Sequence, residues 1–226
     1  MARCEVQTVN MLAIETATPI LSVAVTVGGR VFERRVEDPA ARAEGVLELL
    51  RGLLTEAETS LAALDVIAFG RGPGSFTGLR VAAAIAQGLA YAQDLPVIPI
   101  SSLAALAQEA VGTDILAAID ARRDEVYYGF FTRSANGLVE PVGAEAVDAP
   151  ASIPLPTGRV YKAVGSGFDH YWQALHERPG LSYEAHKAPN ARAILMLAQA
   201  SFERGAWVNA AQALPIYLRD NVVQGS

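Results

Sequence analysis

A glycine-rich loop at residues 70–78 contains the residue types in this chain that could bind an anion. It follows a short apolar run, residues 66–69, and precedes an alanine-rich stretch, so the order predicts strand, loop and helix. Glycines let a ligand or another part of the chain approach the backbone closely, and a helix that begins there presents free N–H groups. The loop could therefore hold a phosphate or pack tightly against the protein. Its residues are Gly70, Arg71, Gly72, Pro73, Gly74, Ser75, Phe76, Thr77 and Gly78.

The sequence of this loop matches neither of two familiar nucleotide-binding motifs. A Walker A loop ends in Gly-Lys-Ser/Thr, whereas this one ends in Thr77, Gly78 and Leu79. The dinucleotide fingerprint G-x-G-x-x-G is met by Gly72 and Gly74 but fails at Thr77. Phosphate binding and close packing therefore stay equal alternatives.

Two carboxylates stand at the ends of apolar runs that resemble each other. Glu15 follows residues 11–14, and Asp120 follows residues 115–119. In two-lobed folds, carboxylates at such strand ends hold the magnesium of a nucleotide in the cleft between the lobes. The alternative, which we favour, is that these acids cap loops or pair with arginines such as Arg122 and Arg123.

The histidines and the cysteine do not indicate a metal site. No two histidines are spaced i, i+4, as two ligands on one helix face would be, and one cysteine cannot form a thiolate cluster or an internal disulfide. We predict no bound metal and a reducing, cytoplasmic location. These residues are His170, His176, His186 and Cys4.

Composition indicates a folded globular protein. Of the 226 residues 51% are hydrophobic, and 24 acidic residues against 18 Lys and Arg give a net charge of −6. That balance argues against independent nucleic-acid binding. The longest nearly apolar stretch is too short to span a bilayer, and no signal-peptide core is evident, so we expect no membrane association.

The order of elements predicts an α/β protein of the actin-like, ribonuclease-H-like (ASKHA) class. We expect two lobes, each with a mixed sheet flanked by helices: residues 1–103, and residues 104–206, with residues 207–226 packing back on the first lobe. Strands are predicted at 11–14, 21–27, 31–36, 66–69, 97–100, 115–120 and 125–133, helices at 41–58, 77–93, 168–176 and 190–204, and a surface loop at 141–159.

Several segments resemble the bacterial TsaB (YeaZ) family, in the right order along nearly the whole chain. The twelve-residue stretch that contains the glycine loop is long and specific. The matching segments are Phe69–Arg80, Ile85–Leu89, Ile100–Leu106, Ala118–Arg122, Glu125–Tyr127 and Tyr217–Asp220.

The resemblance implies a non-catalytic subunit needed to make threonylcarbamoyladenosine beside the anticodon of tRNAs that read ANN codons. Members heterodimerise with the paralogous transferase TsaD, and the pair recruits the ATPase TsaE, while TsaC supplies the activated group. TsaD holds its metal through a His-x-x-x-His pair, which is equivalent here to Ser102 and Leu106. The resemblance implies no cofactor bound by this chain alone, although ATP or ADP could sit at the contact between partners. It implies tRNA binding only through the complex.

The resemblance also places the partner contact on two helices of the first lobe, and the free chain could form a homodimer through the same helices. The residues expected there are Val46, Leu47, Leu50, Leu54, Ala82, Ala83, Ala86 and Ala90. One departure is that members commonly have Asp-Thr-Ser where this chain has Glu15, Thr16 and Ala17. The alternative function is an ATPase or phosphotransferase that uses its own interlobe cleft through Glu15 and Asp120.

Overall fold

The computed structural model describes residues 9–37 and 43–219. Its first half forms a five-stranded mixed sheet in the order β3-β2-β1-β4-β5, with β1, β2 and β3 antiparallel and β1, β4 and β5 parallel. The elements are β1 (Met11–Glu15), β2 (Ile20–Val27), β3 (Arg30–Glu37), α1 (Ala43–Glu56), β4 (Val66–Gly70), α2 (Phe76–Gln93), β5 (Val97–Ile100) and α3 (Ser102–Gln108).

The second half forms another mixed sheet, in the order β11-β10-β6-β7-β8, with β9 also pairing with β7. Two mixed sheets with flanking helices are what the sequence predicts. The segment 141–159, predicted as a loop, includes one short strand and the end of another. The elements are β6 (Asp114–Arg122), β7 (Glu125–Arg133), β8 (Val139–Pro141), β9 (Ala146–Asp148), β10 (Tyr161–Val164), α4 (Ser166–Leu175), β11 (Leu181–Glu184) and α5 (Ala191–Glu203).

The first sheet is covered on both faces, which explains why β1 is apolar almost throughout. Leu12 and Ile14 pack in one core cluster with α1 and α2, whereas Met11 and Ala13 pack in another with α3 and α5. A strand with both faces buried has no polar side. Its one charged residue, Glu15, therefore lies inside the protein.

The predicted domain boundary at residue 206 is wrong, because α5 packs against the first sheet rather than the second. The Ala191 N–H donates to Ser22 Oγ on β2 at 2.7 Å, which fixes the start of the helix there. After α5, Val208 bridges to Val97 of β5. The chain thus returns to the first lobe at α5, earlier than the predicted segment 207–226.

Some predicted features lie outside the described residues. They are the beginning of the helix predicted at 41–58, Asp220 of the last family segment, and residues 221–226.

Helix α3, which the sequence did not predict, joins the two halves of the chain. Ser101 caps its beginning, where Ser101 Oγ accepts from the Ala104 N–H at 3.1 Å. Arg133 of β7 covers its end, donating from Nη2 to the carbonyls of Ala107 and Ala110 at 3.2 and 2.7 Å. Both ends of a seven-residue helix are therefore satisfied by side chains. No helix in the described ranges is long and apolar enough to cross a membrane.

Candidate functional site

The glycine loop packs against the turn between β1 and β2 more closely than any side chain would allow. A Cβ atom on Gly78 would lie 1.9 Å from the Thr16 carbonyl oxygen, and one on Gly74 would lie 2.5 Å from that of Ala17. The contact is hydrogen-bonded: the Ser75 N–H donates to the Ala17 carbonyl at 2.8 Å, and Thr16 Oγ1 donates to the Gly78 carbonyl at 2.7 Å. These glycines are needed for close packing.

The backbone at the start of the loop is committed to neighbouring segments. The Arg71 N–H donates to the Ile100 carbonyl, and the Arg71 carbonyl accepts from the Ile216 N–H, both at 2.8 Å. The Gly72 carbonyl accepts from the Ser102 N–H at 2.9 Å. At the start of α2, Ser75 Oγ accepts from the Gly78 N–H. Of the two alternatives for the loop, the geometry favours packing over a phosphate cradle.

Glu15 is completely buried at the end of β1. Its carboxylate accepts from the Ala17 N–H at 2.6 Å and from Ser102 Oγ at 2.9 Å. A Cβ atom on Gly70 would lie 2.1 Å from Glu15 Oε2, so that glycine makes room for the carboxylate. Burial raises the pKa of Glu15 to about 7, and the hydrogen bonds from Ala17, Ser102 and the Thr16 backbone only partly oppose this rise.

A cleft of about 430 Å³ is lined by loop ends of both lobes. Asp120 lines the cleft and pairs with Arg122 at 3.3 Å, as predicted by the alternative that these acids pair with arginines. Glu15 does not line it. The predicted pair of cleft carboxylates is therefore wrong, because Glu15 turns into the protein and only Asp120 faces the cleft. The lining residues are Ala17, Thr18, Pro19, Gly74, Ser75, Phe76, Ile119, Asp120, Ala121, Arg122, Arg123, Tyr127, Ser166, Tyr217 and Arg219.

A second concavity, about 630 Å³ in volume, lies along the outer faces of α1 and α2 and is called the α1/α2 groove below. Leu47 and Phe76 stay 43% and 40% exposed there, which is high for large apolar side chains. Among the described residues that line it, Arg80 is the only charged one. The full set is Ala43, Leu47, Phe76, Thr77, Arg80, Val81, Ala84, Ile85, Gly88 and Leu89.

The structure corrects the residues predicted to contact a partner. Among them only Leu47 lines the α1/α2 groove. Leu54 is partly buried against the core, and the other six are buried within the first lobe, where no partner could reach them; they are Val46, Leu50, Ala82, Ala83, Ala86 and Ala90. Because α2 is alanine-rich on all sides, its sequence does not reveal which face is turned outward. The small side chains that suggested close packing with a partner instead allow α2 to lie close to its own sheet.

The C-terminal segment crosses between the groove and the cleft. Tyr217 contacts the ring of Phe76, with ring centres 5.4 Å apart, and its hydroxyl accepts from Arg80 Nε at 3.2 Å. The Arg80 guanidinium carbon lies 3.8 Å from the centre of the Phe76 ring, a cation–π contact. Arg219 forms an ion pair with Glu125 of β7, which ties the same segment to the second lobe.

Comparison with known proteins decides the family. The chain is 37% identical to the tRNA threonylcarbamoyladenosine biosynthesis protein TsaB of Escherichia coli (strain K12), over 94% of this chain and 96% of that one. It is 36% identical to the TsaB of Haemophilus influenzae, over 96% of each. The solved structure of YeaZ from Pseudomonas aeruginosa matches with a TM-score of 0.87 at 40% identity, covering 93% of this chain and all of that one. The chain belongs to the TsaB (YeaZ) family.

The family model for TsaD, tRNA N6-adenosine threonylcarbamoyltransferase, also matches residues 40–225. The predicted actin-like, ribonuclease-H-like fold is confirmed. Ser102 and Leu106, which the resemblance predicts to stand in place of the TsaD histidine pair, are both fully buried in α3. Within residues 9–37 and 43–219, no three His, Cys, Asp or Glu side chains are grouped as metal ligands would be.

Proposed function

We propose that this protein is a non-catalytic subunit of the machinery that makes threonylcarbamoyladenosine beside the anticodon of tRNAs reading ANN codons. It acts by forming a heterodimer with the transferase TsaD. Its similarity to TsaB proteins along nearly the whole chain supports the pathway, and its match to the TsaD family model supports a paralogous partner.

The observation that carries the proposal is the α1/α2 groove. An apolar groove on two neighbouring helices suits a partner that presents an apolar helix face of its own. Exposed patches of this kind on a soluble domain mark interaction sites. A paralogue with the same fold would offer two helices in the corresponding position.

The interior of the protein gives a reason why this chain would not act alone. The ATPase alternative needs Glu15 and Asp120 in one cleft, but Glu15 is buried and bonded to Ser102, and Asp120 pairs with Arg122. Purified protein is therefore expected to leave ATP unhydrolysed. Steady ATP hydrolysis by the purified protein that is lost in the Asp120→Asn variant would instead support the ATPase hypothesis.

The remaining roles follow from membership of such a complex. The heterodimer recruits TsaE, TsaC supplies the threonylcarbamoyl-adenylate, and tRNA is bound through the assembled complex in the cytoplasm. ATP or ADP would bind at the contact between subunits rather than in this chain alone.

The test is reconstitution with the cognate TsaD, TsaC and TsaE, with threonylcarbamoyladenosine on tRNA quantified with and without this chain. A charge in the groove, Ala84→Glu, should abolish TsaD binding and modification while leaving the melting temperature unchanged. Ala92→Glu places the same charge on the same helix outside the groove and is the matched control. Full modification without this chain would refute the proposal.

A further inference from the structure

Arg80 is unusual because, in the part of the chain that the structure describes, it is the one charged side chain that lines the otherwise largely apolar α1/α2 groove. It is also held in place. Its guanidinium lies against the Phe76 ring at 3.8 Å, and its Nε donates to the Tyr217 hydroxyl at 3.2 Å. A guanidinium has five N–H donors. Within residues 9–37 and 43–219, the one hydrogen bond that Arg80 donates comes from Nε, so its terminal nitrogens have no acceptor among the described residues.

A partner that covers the groove removes this guanidinium from water. A desolvated charge is costly unless it is paired and hydrogen-bonded, so the covering surface must supply an acceptor. A carboxylate suits a planar guanidinium best, since it can accept two parallel hydrogen bonds. The chemistry of the groove therefore specifies an apolar helix face that carries an Asp or Glu opposite Arg80.

A second copy of this chain does not meet that requirement with the same surface. A two-fold interface brings the same patch together on both subunits, and none of the described residues that line the groove is acidic. Glu44 and Glu48 of α1 are exposed, but they are not among the lining residues. Self-association through the groove would therefore cover Arg80 without a lining carboxylate to pair with it.

We propose that Arg80 is the specificity-determining residue of the α1/α2 groove: it pairs with a carboxylate of the transferase partner and disfavours a second copy of this chain. Tyr217 is its positioning residue, because it fixes the guanidinium from the C-terminal segment. This inference rests on the proposed docking of TsaD in the groove, and it adds which contact selects the partner.

Calorimetric titration of purified cognate TsaD into the full-length chain tests the pairing. Arg80→Met keeps the length of the side chain but removes its charge, and it should weaken binding by roughly thirtyfold or more. Arg80→Lys should recover only part, because an ammonium cannot form the paired hydrogen bonds. Tyr217→Phe should weaken binding by about fivefold, the effect of one hydrogen bond. Arg51→Met, an exposed arginine of α1 outside the groove, should bind like the wild type.

Sedimentation equilibrium of each variant alone tests the selectivity. Arg80→Met should self-associate as strongly as the wild type or more so, because it loses the charge that disfavours the homodimer. If Arg80→Met binds TsaD normally while Ala84→Glu does not, the role of Arg80 is refuted and docking of TsaD in the groove is supported. If Ala84→Glu also binds normally, the groove is not the contact. In that case the role of Arg80 and the docking of TsaD in the groove are both refuted. If Arg80→Met weakened self-association as much as it weakened TsaD binding, Arg80 would not distinguish the two partners. The proposed selectivity would then be refuted.

Discussion

Replacing Glu15 by glutamine should change how the stability of this protein depends on pH. Burial raises the pKa of this carboxyl from 4.5 to about 7. The folded protein then binds a proton between those two pH values that the unfolded chain has already released. The contribution of Glu15 to the free energy of unfolding therefore falls as pH rises from about 4.5 to 7, and it is constant below and above that window.

The size of the effect follows from the shift. A pKa difference of about 2.5 corresponds to about 3 kcal/mol, because each pKa unit is worth about 1.4 kcal/mol. Glutamine resembles the protonated acid, and its amide oxygen can still accept from the Ala17 N–H while its nitrogen faces Ser102 Oγ. We therefore expect Glu15→Gln to be more stable than the wild type at pH 8, with an advantage that shrinks by roughly 2–3 kcal/mol on going to pH 5.

Urea unfolding at half-unit steps from pH 5 to 8.5 measures this difference directly. Glu48→Gln, at an exposed position of α1, is the control and should leave the pH profile of the wild type unchanged. The reasoning would be refuted if Glu15→Gln shifted the free energy of unfolding by the same amount at every pH. In that case the carboxyl would titrate alike in the folded and unfolded chains, and burial would not govern its pKa.

Substitutions at three further residues test packing and hydrogen bonding elsewhere in the fold. Gly78→Ala should destabilise the protein by about 3 kcal/mol or more, because its Cβ would meet the Thr16 carbonyl; urea unfolding measures the loss, and an unchanged midpoint would contradict the close contact. Gly88→Ala, in the same helix with open space around it, should instead stabilise the protein by about 0.5–1 kcal/mol. A lower melting temperature in thermal unfolding would contradict a helical conformation at this position. Arg133→Met should cost about 2–3 kcal/mol in the same urea assay, because the carbonyls at the end of α3 lose their donors. Arg133→Lys should restore only part of that stability, and a full recovery would mean that the forked guanidinium geometry is not needed.

The strands and long helices could be predicted from the sequence because their hydrophobic period is local. The alternation in β2, the apolar run of β1 and the stripe of α1 each survive in the structure within a few residues. Helix α3 cannot be predicted in this way, because it is short and nearly uniformly apolar and so has no hydrophobic period. The glycine loop was located, but only its neighbours could decide between a phosphate and the turn after β1.

The α1/α2 groove shows what cannot be predicted from neighbouring residues in the sequence. Alanines occur on every side of α2, so they do not indicate its buried face, and Ala82 and Ala86 are buried although the sequence predicts that they contact a partner. Arg80 and Tyr217 are 137 residues apart in the chain, and nothing local to either predicts that they meet.

By itself, the sequence determined the fold class, the strand–loop–helix at residues 66–93 and the family. Hydrophobic periodicity, glycine spacing and sequence motifs are properties of neighbouring residues, so they can be recognised without the structure. The tertiary structure alone decided that Glu15 is buried, that α5 returns to the first sheet, and that α2 turns its Arg80 face outward. Those outcomes depend on which surfaces pack against each other, and packing joins residues that are distant in the chain.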